Sequence, residues 1–205
     1  LESGSTSTVT NTLIPGDGTT AWTNIVGAIT TSLGKIIPSS TAVGWNKGAS
    51  FGTLPTSTDG YVEFDLALMS GQTDGIMVCG FGTATNSGTL SNMNHALYFA
   101  GASNGVRPYE SGQVGTFISY NSSDVFKIER IGATVYYKKN GTTFYTSLSP
   151  SSGALYFNIS NNRHMGVENL KIVYDTTTGT TYNDRIDLGN SVENGVKTTE
   201  FWFKL

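Results

Sequence analysis

The stretch DVFKIERIGATVYYKKNGTTFYTS, residues 124–147, decides the fold because it joins runs of β-forming residues by two turn signals. Gly132 and Ala133 suit a two-residue type II′ turn, which places Ile128 opposite Tyr137. Residues directly opposite each other in an antiparallel pair share a face of the sheet. The first part of the stretch therefore predicts a hairpin in which Ile128 and Tyr137 are neighbours.

The second turn signal extends this hairpin into a three-stranded meander. Asn140 and Gly141 suit a type I′ turn, which pairs Tyr137 with Phe144. We therefore expect Ile128, Tyr137 and Phe144 side by side on one buried face. The opposite face is expected to be solvated, and it carries Lys127, Glu129, Tyr136, Lys138, Thr143 and Tyr145. On this face Lys127 lies opposite Lys138, and Glu129 on the diagonal supplies a counter-charge.

Strand patterns recur along the rest of the chain. Residues 61–68 alternate strictly, with Val62, Phe64, Leu66 and Leu68 on one face. The pattern leaves residues 21–33 open between strand and short helix, with their Thr and Ile content favouring strand. Short β-type runs also occupy 95–99, 155–159 and 169–174. Many short strands without intervening helices predict an all-β protein, an antiparallel two-sheet jelly-roll sandwich.

Composition supports this class and excludes others. The 205 residues include 29 Thr, 22 Ser and 25 Gly, which disfavour helices. With a net charge of −3 and no basic cluster longer than Lys138-Lys139, the chain has no basic stripe for nucleic acid. No apolar run approaches a membrane span, so we expect no membrane insertion. The single Cys79 excludes an internal disulfide and is expected to be buried and inert.

The chain is expected to divide into three parts. Residues 1–11 are predicted to be a flexible leader, residues 12–175 the sandwich, and residues 176–205 a linker with a terminal β-strand. Phe201, Trp202 and Phe203 would expose a large apolar patch if the strand had no partner. We therefore expect residues 199–205 to pair with an edge of the sandwich or with another copy, forming a strand-mediated homo-oligomer.

Three stretches, GWNKGAS at 44–50, DGYVEF at 59–64 and the hairpin at 124–141, resemble bacterial cell-surface modules of the concanavalin-A-like, jelly-roll class. The hairpin is also similar to that of SPRY-type sandwiches. Residues 185–190 and 199–203 resemble the opening strands of a laminin-G-like domain, which implies the start of a second module. The resemblance implies a non-catalytic module of an exported multidomain protein, located outside the cell or at its surface.

The residues give little support to catalysis. Concanavalin-A-like glucanases resemble each other in a Glu-x-Asp-x-x-Glu strand, but here Glu63 and Asp65 are followed by Leu66, Ala67 and Leu68. The third acid of the pattern is therefore absent, and Glu63 and Asp65 are interpreted as surface strand residues and not as the carboxylate pair of a glycosidase. His95 lies inside a predicted strand and is interpreted as a half-buried polar residue, with a ligand contact as the alternative. We predict no catalytic residues.

A binding site is expected at one rim of the sandwich. Sugar recognition combines an aromatic face with side chains that hydrogen-bond to hydroxyls. A loop-rich segment brings both types together, and the candidate residues are Arg107, Tyr109, Glu110, Tyr120 and Asn121, with Asn104 nearby. The alternative is that Tyr109 packs against the sandwich edge while Arg107 pairs with Glu110.

Metal-binding signals are weak. No cofactor is predicted, and Cys79 lacks partners for zinc. Asp-Gly pairs at Asp17, Asp59 and Asp74 are common in turns, but they are also found in calcium loops. A structural calcium ion therefore stays open as an alternative, with no metal residue assigned.

The sequence favours a non-catalytic carbohydrate-binding or adhesion module, whose partners would be glycans or cell-surface polysaccharide. A structural or spacer domain, or a virion attachment-fibre domain at the virion surface, is the alternative, and it would have no small ligand. A glycanase or lyase is the third hypothesis. Because fold-level analogy carries most of this inference, only binding or activity measurements can separate the three.

Overall fold

A computed structural model describes residues 7–27, 29–85, 88–101 and 105–178. These residues form fourteen β-strands and no helix, arranged as the expected antiparallel two-sheet jelly-roll sandwich. Within the stretch 21–33, residues 22–26 and 29–32 form strands, as their composition favoured. The strands are β1 (Ser7–Leu13), β2 (Trp22–Val26), β3 (Ile29–Ser32), β4 (Lys35–Pro38), β5 (Lys47–Leu54), β6 (Gly60–Leu68), β7 (Ile76–Gly82), β8 (His95–Ala100), β9 (Val106–Tyr109), β10 (Val125–Ile131), β11 (Thr134–Lys139), β12 (Thr142–Thr146), β13 (Leu155–Arg163) and β14 (Met165–Thr178).

The two sheets differ in size and in strand order. The larger sheet has the order β12-β11-β10-β6-β14-β4-β3, and β1 also pairs with β14. The smaller sheet has the order β2-β5-β13-β7-β8-β9. Neighbouring strands in each sheet are mostly distant in sequence, so the fold depends on pairings that no local signal specifies.

Aromatic side chains fill the space between the sheets. Phe64 of β6 is fully buried and packs against Phe126 and Phe99, with ring centroids 6.2 and 6.4 Å away. Phe99 and Phe126 meet edge to face at 4.9 Å. Val62 and Leu66 are buried on the same face of β6, as the alternation predicted. The core therefore joins both sheets through one aromatic cluster.

The first hairpin has the predicted register. Ile128 pairs with Tyr137, and both side chains are fully buried. Gly132 has φ +58°, as the first turn position of type II′ requires. On the outer face, Lys127 lies opposite Lys138, as expected. Glu129 contacts Lys138 at 2.5 Å, which provides the counter-charge expected on the diagonal.

The predicted pairing of Tyr137 with Phe144 is wrong. Asn140 and Gly141 form the turn with φ of 50° and 79°, but the register shifts after Lys138 and Tyr137 pairs with Tyr145. This β-bulge inserts one residue, so both Phe144 and Tyr145 pack against the core. Tyr145 was expected on the solvated face, whereas its ring centroid lies 5.7 Å from that of Tyr137.

Two of the expected boundaries differ in the described residues. The flexible leader is wrong for residues 7–11, which belong to β1 and pair with β14. Thr and Val favour strands, and the edge of β14 offers unpaired backbone groups. The linker expected from Thr176 is likewise strand as far as Thr178. Residues 199–205, their predicted strand and the oligomer built on it lie outside the described residues.

Candidate functional site

A cleft of about 310 Å³ opens at one end of the sandwich. It lies where β7 ends, β8 begins and β9 ends, and the loop before β13 closes its far side. Its lining is mostly hydroxyl and amide groups around two titratable side chains, His95 and Glu110. The polar rim consists of Thr83, Asn94, Ser111, Ser149, Ser151 and Ser152.

Glu110 is the carboxylate of the cleft and follows directly after β9. Its side chain is only 8% exposed, although it lines the cleft. The Tyr137 hydroxyl donates a hydrogen bond of 2.9 Å to Glu110 Oε1. Burial raises the pKa of Tyr137 well above its usual range, so the phenol keeps its proton and acts as a fixed donor. One donor leaves most of the carboxylate's acceptor capacity free for a ligand.

His95, the first residue of β8, lies beside this carboxylate. Its side chain is 5% exposed, and its Nδ1 is 4.0 Å from Glu110 Oε1. This nitrogen has no hydrogen-bond partner among the described residues. Burial lowers the pKa of His95. The charge of Glu110 raises this pKa in part and the charge of Arg130 lowers it further, so the imidazole is neutral at pH 7. A neutral ring offers one donor and one acceptor.

Hydrogen bonds fix the rim in place. Asn94 Oδ1 accepts from the backbone nitrogen and the hydroxyl of Thr83 at 3.0 and 3.1 Å, and Asn94 Nδ2 donates to Ser111 Oγ at 3.4 Å. Across the cleft, the backbone nitrogen of Ser151 donates to the Ala133 carbonyl at 2.9 Å. The rim therefore links the ends of three strands before any ligand arrives.

The fully buried Arg130 of β10 supports the wall of the cleft from below. Its guanidinium donates to the carbonyls of Gly153 at 2.6 Å, Thr58 at 2.7 and 3.0 Å, and Pro55. Gly153 lines the cleft, so this side chain ties the wall to the loop between β5 and β6. Burial lowers the pKa of Arg130, yet the guanidinium stays charged because arginine is not deprotonated in proteins.

The structure separates the five predicted site residues. Arg107 and Tyr109 point to the outer face of the smaller sheet, where Tyr109 packs on a small apolar cluster. Glu110 alone of the five lines the cleft. Tyr120 is 8% exposed and meets Phe99 edge to face in the core. Asn121 is exposed in a turn and donates its backbone N–H to Asp124, whereas Asn104 lies outside the described residues.

The alternative expectation, that Tyr109 packs against the sandwich edge while Arg107 pairs with Glu110, is only half right. Tyr109 does pack against the sheet, but no ion pair joins Arg107 to Glu110 among the described residues. Strand parity is the reason, because Arg107 and Glu110 are three positions apart and lie on opposite sides of β9. The same parity was the available sequence signal. His95 and the serine-rich loop 149–153 carried no sequence signal that joined them to Glu110.

The other acidic candidates are engaged elsewhere. Glu63 bridges Lys127 and Lys171 at 3.1 and 2.8 Å on the outer face of the larger sheet, and Asp65 accepts from Asn169 at 2.7 Å. They form an ordinary ladder of side chains on β6 and its neighbours.

The three Asp-Gly aspartates occupy separate places. Asp17 accepts from Thr19 and Thr20 in its own turn, Asp59 accepts from the Gly132 nitrogen at 2.6 Å, and Asp74 contacts Arg163 at 3.1 Å. Within the described ranges, no group of three His, Cys, Asp or Glu side chains could hold a metal ion. In the same ranges, no helix has the length and apolarity to cross a membrane.

Comparison with known proteins gives likenesses of structure only. No family model and no curated protein matches the sequence. The carbohydrate-binding module CBM66 from Bacillus subtilis is similar over 73% of this chain and 94% of its own, with 12% identity and a TM-score of 0.46. The carbohydrate recognition domain of Emp46p in its potassium-bound form is similar over 75% and 88%, with 10% identity and a TM-score of 0.47.

A third similar structure is an enzyme. The β-glucanase of Bacillus licheniformis is similar over 72% of this chain and 81% of its own, with 14% identity and a TM-score of 0.38. All three likenesses have TM-scores below 0.5 and identities of 14% or less, so no residue's role is transferred from them. The function has to be argued from the cleft.

Proposed function

We propose that this chain is a non-catalytic carbohydrate-binding module and that the cleft takes one sugar residue. The observation that carries the proposal is the pair at the bottom of the cleft. Glu110 and His95 are both more than nine-tenths buried, and the His95 Nδ1 lacks a partner among the described residues. Keeping such groups desolvated costs free energy unless a ligand satisfies them. A sugar hydroxyl can do so.

The chemistry of the pair matches adjacent hydroxyls. The Glu110 carboxylate accepts hydrogen bonds, and the neutral His95 ring can donate to one hydroxyl oxygen or accept from its proton. Around them, the serine hydroxyls can donate and accept, and the Asn94 amide has one N–H left to donate. A ligand with many hydroxyls on a small frame fits this set better than an apolar one.

The size of the cleft favours a ligand of a single sugar residue. Its volume of about 310 Å³ is at the lower end of the roughly 300–1,000 Å³ range of ligand pockets. A long chain would need a continuous groove. We therefore propose that the cleft recognises a chain end or a side branch of a glycan.

A non-catalytic role is supported by the acids that line the cleft. Glycoside hydrolysis by the usual mechanisms needs two carboxyl groups on either side of the scissile bond. In the part of the chain that the structure describes, Glu110 is the one carboxylate lining this cleft. We further propose that the module belongs to an exported protein of the cell surface, where such glycans occur.

A glycan array followed by calorimetry tests the proposal. Glu110→Gln keeps an acceptor for Tyr137 but removes the charge, and a charge-assisted hydrogen bond is stronger than a neutral one. We expect at least about tenfold weaker binding of the array's best sugar. Glu129→Gln, on the outer face of the larger sheet, is the matched control and should bind like the unchanged protein.

Two results would contradict the proposal. Silence across the array would favour a structural domain without a small ligand. Release of reducing or unsaturated sugar from a polysaccharide, lost in Glu110→Gln, would make the protein an enzyme.

A further inference from the structure

The outer face of the smaller sheet carries three aromatic side chains in a row, Trp45, Tyr98 and Phe117, termed here the aromatic row. The ring centroids of Trp45 and Tyr98 are 6.4 Å apart, and those of Tyr98 and Phe117 are 6.2 Å apart. Phe117 is 41% exposed, and the other two are half-buried. The row lies on the side of β8 that faces away from the core, so it is separate from the cleft.

A buried lysine holds one end of the aromatic row. Lys47 is 3% exposed, and its Nζ donates to the carbonyls of Ala42, Gly44 and Asn162 at 2.7, 3.2 and 3.2 Å. These bonds fix the loop that carries Trp45. The backbone that carries Trp45 is therefore held in place, which lowers the entropy lost when a ligand binds there.

Arg107 holds the other end in the same way. Its guanidinium donates to the carbonyls of Val114 and Gly115 at 3.1 and 2.6 Å and to the Gln113 side chain at 3.2 Å. Its central carbon lies 4.9 Å from the centroid of the Phe117 ring. The loop from β9 to β10 is thus tied back so that Phe117 stays exposed on the sheet.

Arg107 retains capacity to bind an anion. A guanidinium has five N–H donors, and three of them are used within the loop. Among the described residues no carboxylate lies within ion-pair distance of Arg107. A positive charge with two free donors therefore stands at the end of the aromatic row, a geometry suited to a carboxylate.

We propose that the aromatic row and Arg107 form a second glycan site, which binds a chain of an acidic polysaccharide such as a polyuronate. The face of a pyranose ring presents polarised C–H groups that suit the negative face of an aromatic ring. Neighbouring rings are tilted by 48° and 53°, which suits a twisted single chain better than a flat crystalline surface. Arg107 would pair with a sugar carboxylate.

A protein partner fits this surface less well. A stable protein interface buries about 800 Å² on each partner, whereas the aromatic row is one ring wide. The choice of a glycan rests on the proposed function, but the two sites lie on different residues. Variants can therefore test them separately.

Native affinity electrophoresis of the full chain tests the second site. The gels contain polygalacturonate as the acidic probe or hydroxyethylcellulose as the neutral one. We expect retardation by polygalacturonate that disappears at 1 M salt, where charges are screened over about 3 Å. Phe117→Ala should weaken this binding roughly three- to tenfold. Ile131→Ala, which removes a side chain that is 51% exposed on the other sheet, is the matched control and should have no effect.

Further variants separate the two proposals. Arg107→Lys keeps the charge but loses the fork, so it should weaken polygalacturonate binding, whereas Glu110→Gln should leave it unchanged. Equal binding of both polysaccharides, or equal effects of Phe117→Ala and Ile131→Ala, would overturn the second site. If Phe117→Ala instead changes the mass of the protein in sedimentation, the row is a contact between copies and the glycan assignment is wrong.

Discussion

The hydrogen bond between Tyr137 and Glu110 gives the sharpest prediction, because it joins the core to the cleft. Tyr137→Phe removes one oxygen from a fully buried side chain without leaving a large cavity. The lost bond of 2.9 Å goes to a carboxylate that is 8% exposed. Hydrogen bonds to charged groups contribute roughly 1.5–3 kcal/mol, so we expect about 2 kcal/mol less stability. For a chain of this size the Tm should fall by about 4–8 °C.

Urea denaturation followed by tryptophan fluorescence measures this loss. Tyr136→Phe, the neighbouring half-buried tyrosine on the other face, is the matched control and should change stability by less than about 0.5 kcal/mol. In the double variant with Glu110→Gln the cost of Tyr137→Phe should shrink, because the pair is coupled. The reasoning is refuted if Tyr137→Phe matches the unchanged protein, or if Tyr136→Phe costs as much.

Three further perturbations test the supports of the site. Arg130→Lys should lower the free energy of unfolding in urea by about 2–4 kcal/mol, because an ammonium cannot donate to the carbonyls of Pro55, Thr58 and Gly153 together. The control Arg163→Lys, in the half-exposed ion pair with Asp74, should lower it by less than about 1 kcal/mol. Burial disfavours the phenolate of Tyr120 and raises its pKa to about 12 from an ordinary 10.0, so the fold is unaffected by this ionisation below pH 10 and loses stability as the pH rises from 10 towards 12. Tyr120→Phe should therefore flatten the alkaline fall in stability without lowering stability at pH 7, since the hydroxyl has no partner in the described part of the chain; a stability loss at pH 7 would contradict this. Asn140→Ala should cost about 1 kcal/mol more than Asn140→Gly, because both lose the bonds to Val125 and Asp124 but only alanine is strained at φ 50°; equal costs would count against the turn.

The sequence predicted those parts of the fold that local chemistry specifies. Gly132 and the Asn140-Gly141 pair fix their turns through positive φ, so the first hairpin and its register followed directly. The bulge in the second hairpin did not follow, because Phe144 and Tyr145 are both aromatic. Threonines flank the two aromatic residues on both sides, so neither face is marked as the outer one, and packing against the core decides the register.

The candidate site was predicted less well for a related reason. The sequence singled out Glu110, but its partners His95, Tyr137 and Ser151 come from distant strands and loops. Only the pairing of β7, β8 and β9 and the packing of the two sheets bring them together. Arg107 was expected beside Glu110 because the two are close in the chain, and the two-residue period of a strand places them on opposite faces.

An NMR titration of the full chain with methyl glycosides of glucose, galactose and mannose tests the central claim most directly. At least one of them should shift the ring signals of His95 and the amides of Asn94, Ser111 and Ser151 in a saturable way. The same shifts should need at least about tenfold more sugar in Glu110→Gln and be unchanged in Glu129→Gln. Shifts confined to the aromatic row, or no saturable shifts with any sugar, would contradict the proposal that the cleft is the sugar site.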